Sequence, residues 1–451
     1  MSTRIVAIFF VITTVVGGCS RIASNSTGYI SNYRLRFDRG DTTWVGNGRF
    51  SISFCIEPNA PDTIIMQFGM RSGLDFAEHD TDSTFLLSVF GDNLQSYTIL
   101  SDERQIAFVR NSNEQAAHIR MEYGYSNIVT AFRFGKPLNA NNPTADIWET
   151  SAEEFYYPFI ANTHMDIRAE FVAPDSVEVI ASYPVHRQGD SYICEAKNII
   201  SHSLHFAYLN KKHYIVDTIG ICGKKVPLYQ MKKRLLSDSE KADMANVLCR
   251  AAEYFESVFG DSYWSEKHGV SVMSILFEPT FYGLRQNVNF MSSPIDDSTY
   301  YAFGLVHEMG HRWLGEYNLL IADGQLGAYF IKESLNVFMR MMFGRATGLY
   351  DWQQEMQKRR KSYDEIKGTK RDCALIDMRY NSNFDVVYSK GPVILDDFAQ
   401  RIGYDEMVRI IGEFYRRYDQ KIGLRYEDFI STVADLHPEI ADELDRRLRS
   451  I

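Results

Sequence analysis

The sequence lacks several features that define other classes of protein. It has no excess of basic residues, because 48 Lys and Arg are outnumbered by 58 Asp and Glu, which gives a net charge of −10. A phosphate backbone is bound by a basic face, so this balance argues against nucleic acid as a partner. The 6 cysteines include no CxxC pair, which argues against a cysteine metal site or a disulfide framework. No internal repeat or low-complexity tract is present.

Long apolar runs are also missing, except at the start of the chain. Arg4 precedes an apolar run over residues 5–16, which is too short to span a bilayer and indicates a signal peptide over residues 1–18. The end of this run resembles a bacterial lipobox, so we expect Cys19 to be acylated and residues 19–28 to form a lipidated tether. The protein would then be an extracytoplasmic, membrane-anchored lipoprotein of the bacterial outer membrane or periplasm.

The composition of the whole chain is that of a folded protein, with 45% hydrophobic and 24% charged residues. Residues 29–222 contain short alternating runs between Gly, Pro and Asn clusters, which is typical of half-buried strands and predicts an N-terminal all-β sandwich domain. The periodicity becomes helical after Ser237 and continues to about Gly260. We therefore predict an α+β multidomain chain whose second, mostly helical domain covers residues 223–451.

The remaining cysteines and one pair of histidines carry weaker predictions. Most of the five other cysteines are expected to be buried free thiols, although Cys194 and Cys222 could pair in an oxidising compartment. His202 and His205 lie three residues apart in a predicted strand and would point to opposite faces. We interpret them as surface histidines.

The sequence His307-Glu308-Met309-Gly310-His311 forms an HExxH motif. The polar stretch ending at Ser298 predicts the start of a helix through this motif. On that helix the two histidines would lie one turn apart on one face, which is the separation that two imidazoles need to bind one Zn²⁺. The sequence therefore predicts a zinc site, with His307 and His311 as ligands.

A catalytic zinc needs a third protein ligand, and three acids follow the motif. Glu316 would lie on the opposite side of the helix from His307, and Asp323 would lie in a loop. Glu333 lies in a second apolar helix, where a carboxylate is costly unless it is paired or bound to a metal. We predict Glu333 as the third ligand.

Residues 303–338 resemble the gluzincin metallopeptidases of the aminopeptidase N family, in which HExxH is followed by Trp, Gly and a Glu on the next helix. Trp313 and Gly315 match that pattern. The resemblance implies a thermolysin-like catalytic domain that hydrolyses peptides with one zinc ion and with Glu308 as general base. Two details differ: the spacing from His311 to the glutamate is longer than is usual in the family, and Ser334 replaces a glycine.

A second segment, Tyr388-Ser389-Lys390-Gly391, resembles the YxKG motif of the family. In the family this tyrosine donates a hydrogen bond to the tetrahedral intermediate, which implies a catalytic role for Tyr388. The resemblance extends over about residues 200–435.

A third segment departs from the family. Its GxMEN motif, whose glutamate binds the α-amine of the substrate, corresponds here to residues 283–287. Gly283, Arg285 and Gln286 are therefore the predicted substrate-binding residues. Gln286 replaces the acid and Arg285 adds a positive charge, so binding of a free amino terminus is in doubt.

Three functions are compatible with these patterns. The first is an aminopeptidase acting on peptides. The second is a zinc endopeptidase, or a peptidase whose specificity does not depend on an amine. The third is a catalytically weak lipoprotein that binds zinc or peptides. In each case the expected partners are a peptide or protein and, through the lipid on Cys19, a membrane.

Overall fold

The computed structural model describes most of the chain. The first and last described residues are Gly28 and Ile451, and the sheets precede the helices along the chain, which confirms the predicted fold class of a β-rich N-terminal domain and a mostly helical region. The described residues are 28–38, 48–70, 87–100, 105–125, 147–149, 154–160, 163–201, 203–232, 235–265, 275–277, 289–291, 298–315, 325–377, 385–419, 421 and 423–451.

The strands lie in the first two thirds of the chain. They are β1 (Ile30–Asp38), β2 (Gly48–Ile56), β3 (Thr63–Met70), β4 (Ser88–Gly91), β5 (Leu94–Leu100), β6 (Gln105–Arg110), β7 (Ala117–Tyr125), β8 (Ile147–Glu149), β9 (Glu154–Phe159), β10 (His164–Val172), β11 (Val177–Ala181), β12 (Val185–Gln188), β13 (Ser191–Ile200), β14 (Phe206–Asn210), β15 (Tyr214–Ile221), β16 (Lys224–Met231), β17 (Ile275–Phe277) and β18 (Asn289–Met291).

Among the described residues, three sheets build the N-terminal region. The largest has the order β12-β13-β10-β1-β2-β7-β4, and the others are β11-β14-β8 and β5-β6-β3-β9. Alternate side chains face a shared aromatic core. The ring centroid of Phe37 on β1 lies 5.3 Å from that of Phe206 on β14, and Phe54 on β2 lies 5.6 Å from Phe108 on β6. Aromatic packing therefore joins the sheets into one unit.

The helical region follows. Its helices are α1 (Asp238–Phe259), α2 (Ser298–Gly310), α3 (Leu335–Thr347), α4 (Trp352–Ile366), α5 (Gly391–Ile402), α6 (Tyr404–Tyr418), α7 (Tyr426–Leu436) and α8 (Pro438–Arg449), with a 3₁₀ turn at Leu375–Asp377 and two π-helices, π1 (Phe330–Ser334) and π2 (Val386–Lys390).

Helix α1 begins and ends where the sequence predicts. Ser237 accepts a hydrogen bond from the Glu240 amide, and the Glu240 side chain accepts one from the Ser237 amide, which completes a capping box. Gly260 ends the helix with a φ of 77°, a left-handed conformation that favours glycine.

A fourth sheet, β15-β16-β17-β18, packs with α1. Strand β15 precedes residue 223, yet it pairs with β16 from Tyr214 to Ile221. The buried Ile219 and Ile221 belong to the same core cluster as Phe255 on α1. The core of the helical region therefore includes side chains of β15, which precede residue 223, as well as side chains of α1.

Two cysteines behave differently from the prediction. A disulfide joins Cys222, in the turn between β15 and β16, to Cys249 on α1, with 5.1 Å between the Cα atoms. Cys194 is free and fully buried on β13. The alternative in which Cys194 pairs with Cys222 is therefore wrong, because Cys194 faces the β core while Cys222 faces α1. The prediction of a buried free thiol is confirmed for Cys194.

His205 also differs from the prediction. It is 1% exposed and precedes β14, whose five residues are all buried. Strand β14 is covered on both faces. A side chain on either face is therefore buried, and the alternation of faces along a strand does not place any residue at the surface. The surface prediction is wrong for His205, and His202 lies outside the described residues. Within the part of the chain that the structure describes, no helix is long and apolar enough to cross a membrane.

Candidate zinc site

The HExxH segment lies at the end of α2, which packs on α1. Trp313 is fully buried, its ring centroid lies 5.2 Å from that of Phe255, and its indole N–H donates to the Asp261 carbonyl at 3.0 Å. The predicted helix extended through Trp313, but α2 ends at Gly310. The amides of Trp313 and Leu314 both donate to the Gly310 carbonyl at 3.0 Å, so the chain tightens into a turn there.

This ending keeps the two histidines together. His311 follows the last residue of α2, and its Nε2 lies 3.2 Å from Nε2 of His307. Gly310 allows the close approach of the next helix, because a Cβ atom there would lie 2.0 Å from Oδ1 of Asn336 on α3. The predicted pairing of the two imidazoles is therefore present, although the second lies just beyond the helix.

Glu333 completes a group of three donor atoms. Its Oε2 lies 3.2 Å from Nε2 of His307 and 3.5 Å from Nε2 of His311. Donors about 2.0–2.1 Å from a tetrahedral Zn²⁺ are about 3.3 Å apart. Two imidazole nitrogens and one carboxylate oxygen at these separations fit the donor set of a catalytic zinc.

The protonation states also fit a metal site. Burial lowers the pKa of His307 to about 4, so its imidazole is neutral near pH 7. Nδ1 of His311 donates to the Leu314 carbonyl at 3.1 Å, which orients the ring so that Nε2 faces His307. Burial raises the pKa of Glu333, but the nearby His311 and His307 outweigh that effect and lower it to about 2. The His307 imidazole and the Glu333 carboxylate therefore have the forms in which they bind metals.

Glu308 lies at the rim of this group. Its Oε1 is 4.0 Å from Nε2 of His307, its Oε2 is 3.9 Å from Nε2 of His311, and its side chain is 23% exposed. The carboxylate is therefore accessible to solvent beside the donor atoms. That position suits proton transfer better than metal binding.

Tyr388 is brought to the same site by π2. Its ring centroid lies 5.9 Å from that of His307, and its hydroxyl forms a hydrogen bond with the carboxylate of Glu333. The structure thus places the second predicted segment next to the first.

Two supporting residues were not found from the sequence. Nδ2 of Asn336 donates to the His307 carbonyl at 2.6 Å, and Asn336 is fully buried. The sequence could have indicated Asn336, because it lies three residues after Glu333 and so on the same helical face. Lys390 forms a buried ion pair with Asp372 at 2.9 Å, which no local pattern indicates.

Several predicted residues lie outside the described part of the chain. They are Cys19, Gly283, Arg285, Gln286, Glu316 and Asp323.

The fold and the side chains together define a class of protein, a β-rich domain followed by a helical region in which three donor groups meet at an HExxH motif. No protein-family model and no curated protein sequence matches this chain. The chain is similar to the M1 zinc metallopeptidase from Deinococcus radiodurans, with 10% identity, a TM-score of 0.61 and 95% of both chains covered.

Two further structures have the same fold. A two-domain M1 zinc metallopeptidase bound to L-arginine is 11% identical with a TM-score of 0.63, and the match covers 93% of this chain and 94% of that one. Yeast LTA4 hydrolase in complex with bestatin is 14% identical with a TM-score of 0.63, over 94% of this chain and 67% of that one. The protein has the two-domain fold of the M1 zinc metallopeptidases, which confirms the predicted resemblance at the level of the fold.

Proposed function

We propose that the protein is a zinc-dependent peptidase and that it acts as an aminopeptidase on peptides. The main support is the convergence of Nε2 of His307, Nε2 of His311 and Oε2 of Glu333 at 3.2 to 3.5 Å. Zn²⁺ held there, one per chain, would supply a Lewis acid that makes a water molecule nucleophilic near neutral pH.

Glu308 is the proposed general base. Its carboxylate lies beside the three donor atoms and is exposed enough to meet water and substrate. It would take a proton from the attacking water and deliver it to the leaving amine. Tyr388 is the proposed oxyanion donor, because its phenol lies next to Glu333 and can turn towards the charge that develops on the substrate carbonyl.

Recognition of the free amino terminus of a peptide depends, in this proposal, on Gln286. A neutral amide accepts a hydrogen bond from an ammonium group but lacks the charge that makes the contact strong. A zinc endopeptidase, or a peptidase selecting another terminus, is therefore the second candidate. The L-arginine bound to one structural neighbour supports the aminopeptidase. The third candidate, a weakly catalytic zinc- or peptide-binding lipoprotein, is less favoured because Glu308 and Tyr388 are both in place.

One assay separates the three candidates. Purified zinc-loaded protein is incubated with a peptide library in free and N-acetylated forms. An aminopeptidase cleaves only the free peptides and releases single residues, whereas an endopeptidase cleaves both forms internally. Absence of turnover on both libraries supports the binding protein.

The variant Gln286→Glu tests the amine site directly. A charge-assisted contact is worth roughly 1.5–3 kcal/mol, so cleavage of free-amine peptides should rise about 10- to 100-fold. Cleavage of acetylated peptides should stay flat or fall. If neither changes, Gln286 does not contact the amine and the aminopeptidase proposal loses its specificity argument.

We also propose an extracytoplasmic location with a lipid on Cys19. The Cys222–Cys249 disulfide supports it, because such bonds persist in oxidising compartments. Labelling of cells with an alkyne-tagged fatty acid should mark the wild-type protein and leave Cys19→Ser unlabelled. Labelling of both proteins would place the lipid elsewhere.

A further inference from the structure

The proposed third ligand and the proposed oxyanion donor both lie in π-helices. Glu333 belongs to π1 and Tyr388 belongs to π2, and the two segments pack against each other. Short π-helices are rare and occur often at functional sites, because the wider turn redirects side chains and changes the hydrogen bonding of the backbone.

The wide turn of π2 leaves one carbonyl without a helical donor. The Gly391 amide donates to Val386 instead of Val387. The next donor for Val387 in a π-helix would be residue 392, which is Pro392 and has no N–H. Oγ of Ser334 supplies the missing donor, since it lies 2.7 Å from the Val387 carbonyl oxygen, and Ser334 is fully buried.

Gly391 makes this contact possible. A Cβ atom on Gly391 would lie 2.1 Å from Oγ of Ser334 and 2.4 Å from its Cβ. These distances are far below van der Waals contact, so an alanine there would force π1 and π2 apart. The Ser334 side chain therefore occupies the space that a side chain at residue 391 would need.

We propose that Ser334 is a positioning residue that sets the distance between Glu333 and Tyr388, through its hydrogen bond to the Val387 carbonyl. Ser334 follows Glu333 directly, and Val387 precedes Tyr388 directly, so one hydrogen bond joins the two backbone segments that carry them. The catalytic part of this inference rests on the proposed function. Its geometric part concerns only how π1 and π2 are held.

The first test compares Ser334→Ala with Ser182→Ala. Ser182 is also fully buried, and its Oγ also donates to a backbone carbonyl, that of Ser203, at 2.7 Å, but it lies in the β-rich region. Ser334→Ala should lower kcat by about 10- to 100-fold with KM little changed, the scale expected for displacement of a catalytic group. Ser182→Ala should leave kcat unchanged. Equal kcat values for both variants would overturn the proposal.

A second comparison asks whether Ser334 acts through Tyr388. In a Tyr388→Phe protein, adding Ser334→Ala should lower kcat by a smaller factor than it does in the wild type, because one of the two groups that Ser334 positions is already gone. Independent, multiplicative losses would show that Ser334 acts by another route and would overturn the proposal.

A third measurement does not need turnover. The protein is loaded with Co²⁺, whose visible absorption reports the arrangement of the donor atoms. Ser334→Ala and Gly391→Ala should both alter the wild-type spectrum, and Ser334→Gly combined with Gly391→Ala should restore it partly by removing the clash. Unchanged spectra in both single variants would overturn the geometric part. If wild-type protein cleaves no peptide, the proposed function fails while the cobalt spectra still decide the inference.

Discussion

Oε2 of Glu333 lies 3.2 Å from Nε2 of His307, although the two residues are 26 positions apart in the sequence. The two side chains are 16% and 7% exposed, so the contact is largely screened from water. A carboxylate in such surroundings is costly unless it faces a donor or a cation. The Glu333 carboxylate therefore lies in a position that a positive charge would stabilise.

The first prediction is that Glu333→Ala lowers zinc occupancy as strongly as His307→Ala does. Both substitutions remove one of three donor atoms, and loss of a ligand weakens a three-ligand site far more than loss of a neighbour. Metal analysis after dialysis against a weak chelator measures the effect. Glu308→Gln, Glu316→Ala and Asp323→Ala are the controls and should stay near one zinc per chain. Full occupancy in Glu333→Ala would show that another residue is the third ligand.

The second prediction concerns Tyr388→Phe. This variant should retain zinc and lose on the order of 10²-fold in kcat, the usual effect of removing one oxyanion donor. KM should change less, because the hydrogen bond is formed mainly in the transition state. Steady-state kinetics on whichever peptide the wild type cleaves provides the measurement. An unchanged kcat would assign oxyanion stabilisation to a different group.

The sequence predicted the three donor groups that converge at the HExxH motif, but not the backbone that carries them. The HExxH spacing and the apolar surroundings of Glu333 were sufficient, because they depend on helical periodicity and on the cost of a buried charge. The sequence did not predict that Glu333 and Tyr388 lie in π-helices, because these segments meet through Ser334 and Val387, which are distant in the chain. The same reason explains the missed disulfide, since the pairing of Cys222 with Cys249 depends on how α1 packs on β15 and β16.

The third prediction concerns stability near π2. Lys390 and Asp372 form an ion pair at 2.9 Å with both side chains 1% exposed, and Nζ of Lys390 also donates to the Cys373 and Ser450 carbonyls. Lys390→Met leaves the Asp372 carboxylate buried without its partner, which should cost about 3–5 kcal/mol of unfolding free energy.

The matched control is Lys421→Met. Lys421 pairs with Asp428 at the same 2.9 Å, but its side chain is 42% exposed. Asp428 is 12% exposed, but water reaches the pair from the side of the lysine, so its loss should cost about 1 kcal/mol. Urea denaturation of the metal-free proteins compares the two variants. Similar midpoints for both would mean that the buried pair adds no more stability than the exposed one.

The last prediction concerns pH. Hydrogen bonds that the His437 ring donates to the carboxylates of Glu439 and Glu406 raise its pKa above the ordinary value, and the ring joins the start of α8 to α6. A raised folded-state pKa means that the protonated ring stabilises the fold fully below the unfolded-state pKa of about 6.5. This contribution is lost as the pH rises through the folded-state pKa.

His437→Gln should therefore destabilise the protein by up to about 1 kcal/mol at pH 5.5–6, and the difference from wild type should shrink above pH 8. Denaturation midpoints across this range provide the measurement, with His186→Gln, a change to an exposed histidine on β12, as the control that should show a smaller pH-dependent difference. A deficit in His437→Gln that is constant from pH 5.5 to 9 would mean that the ring stabilises the fold by packing, because a contribution from its charge must disappear when the ring loses its proton.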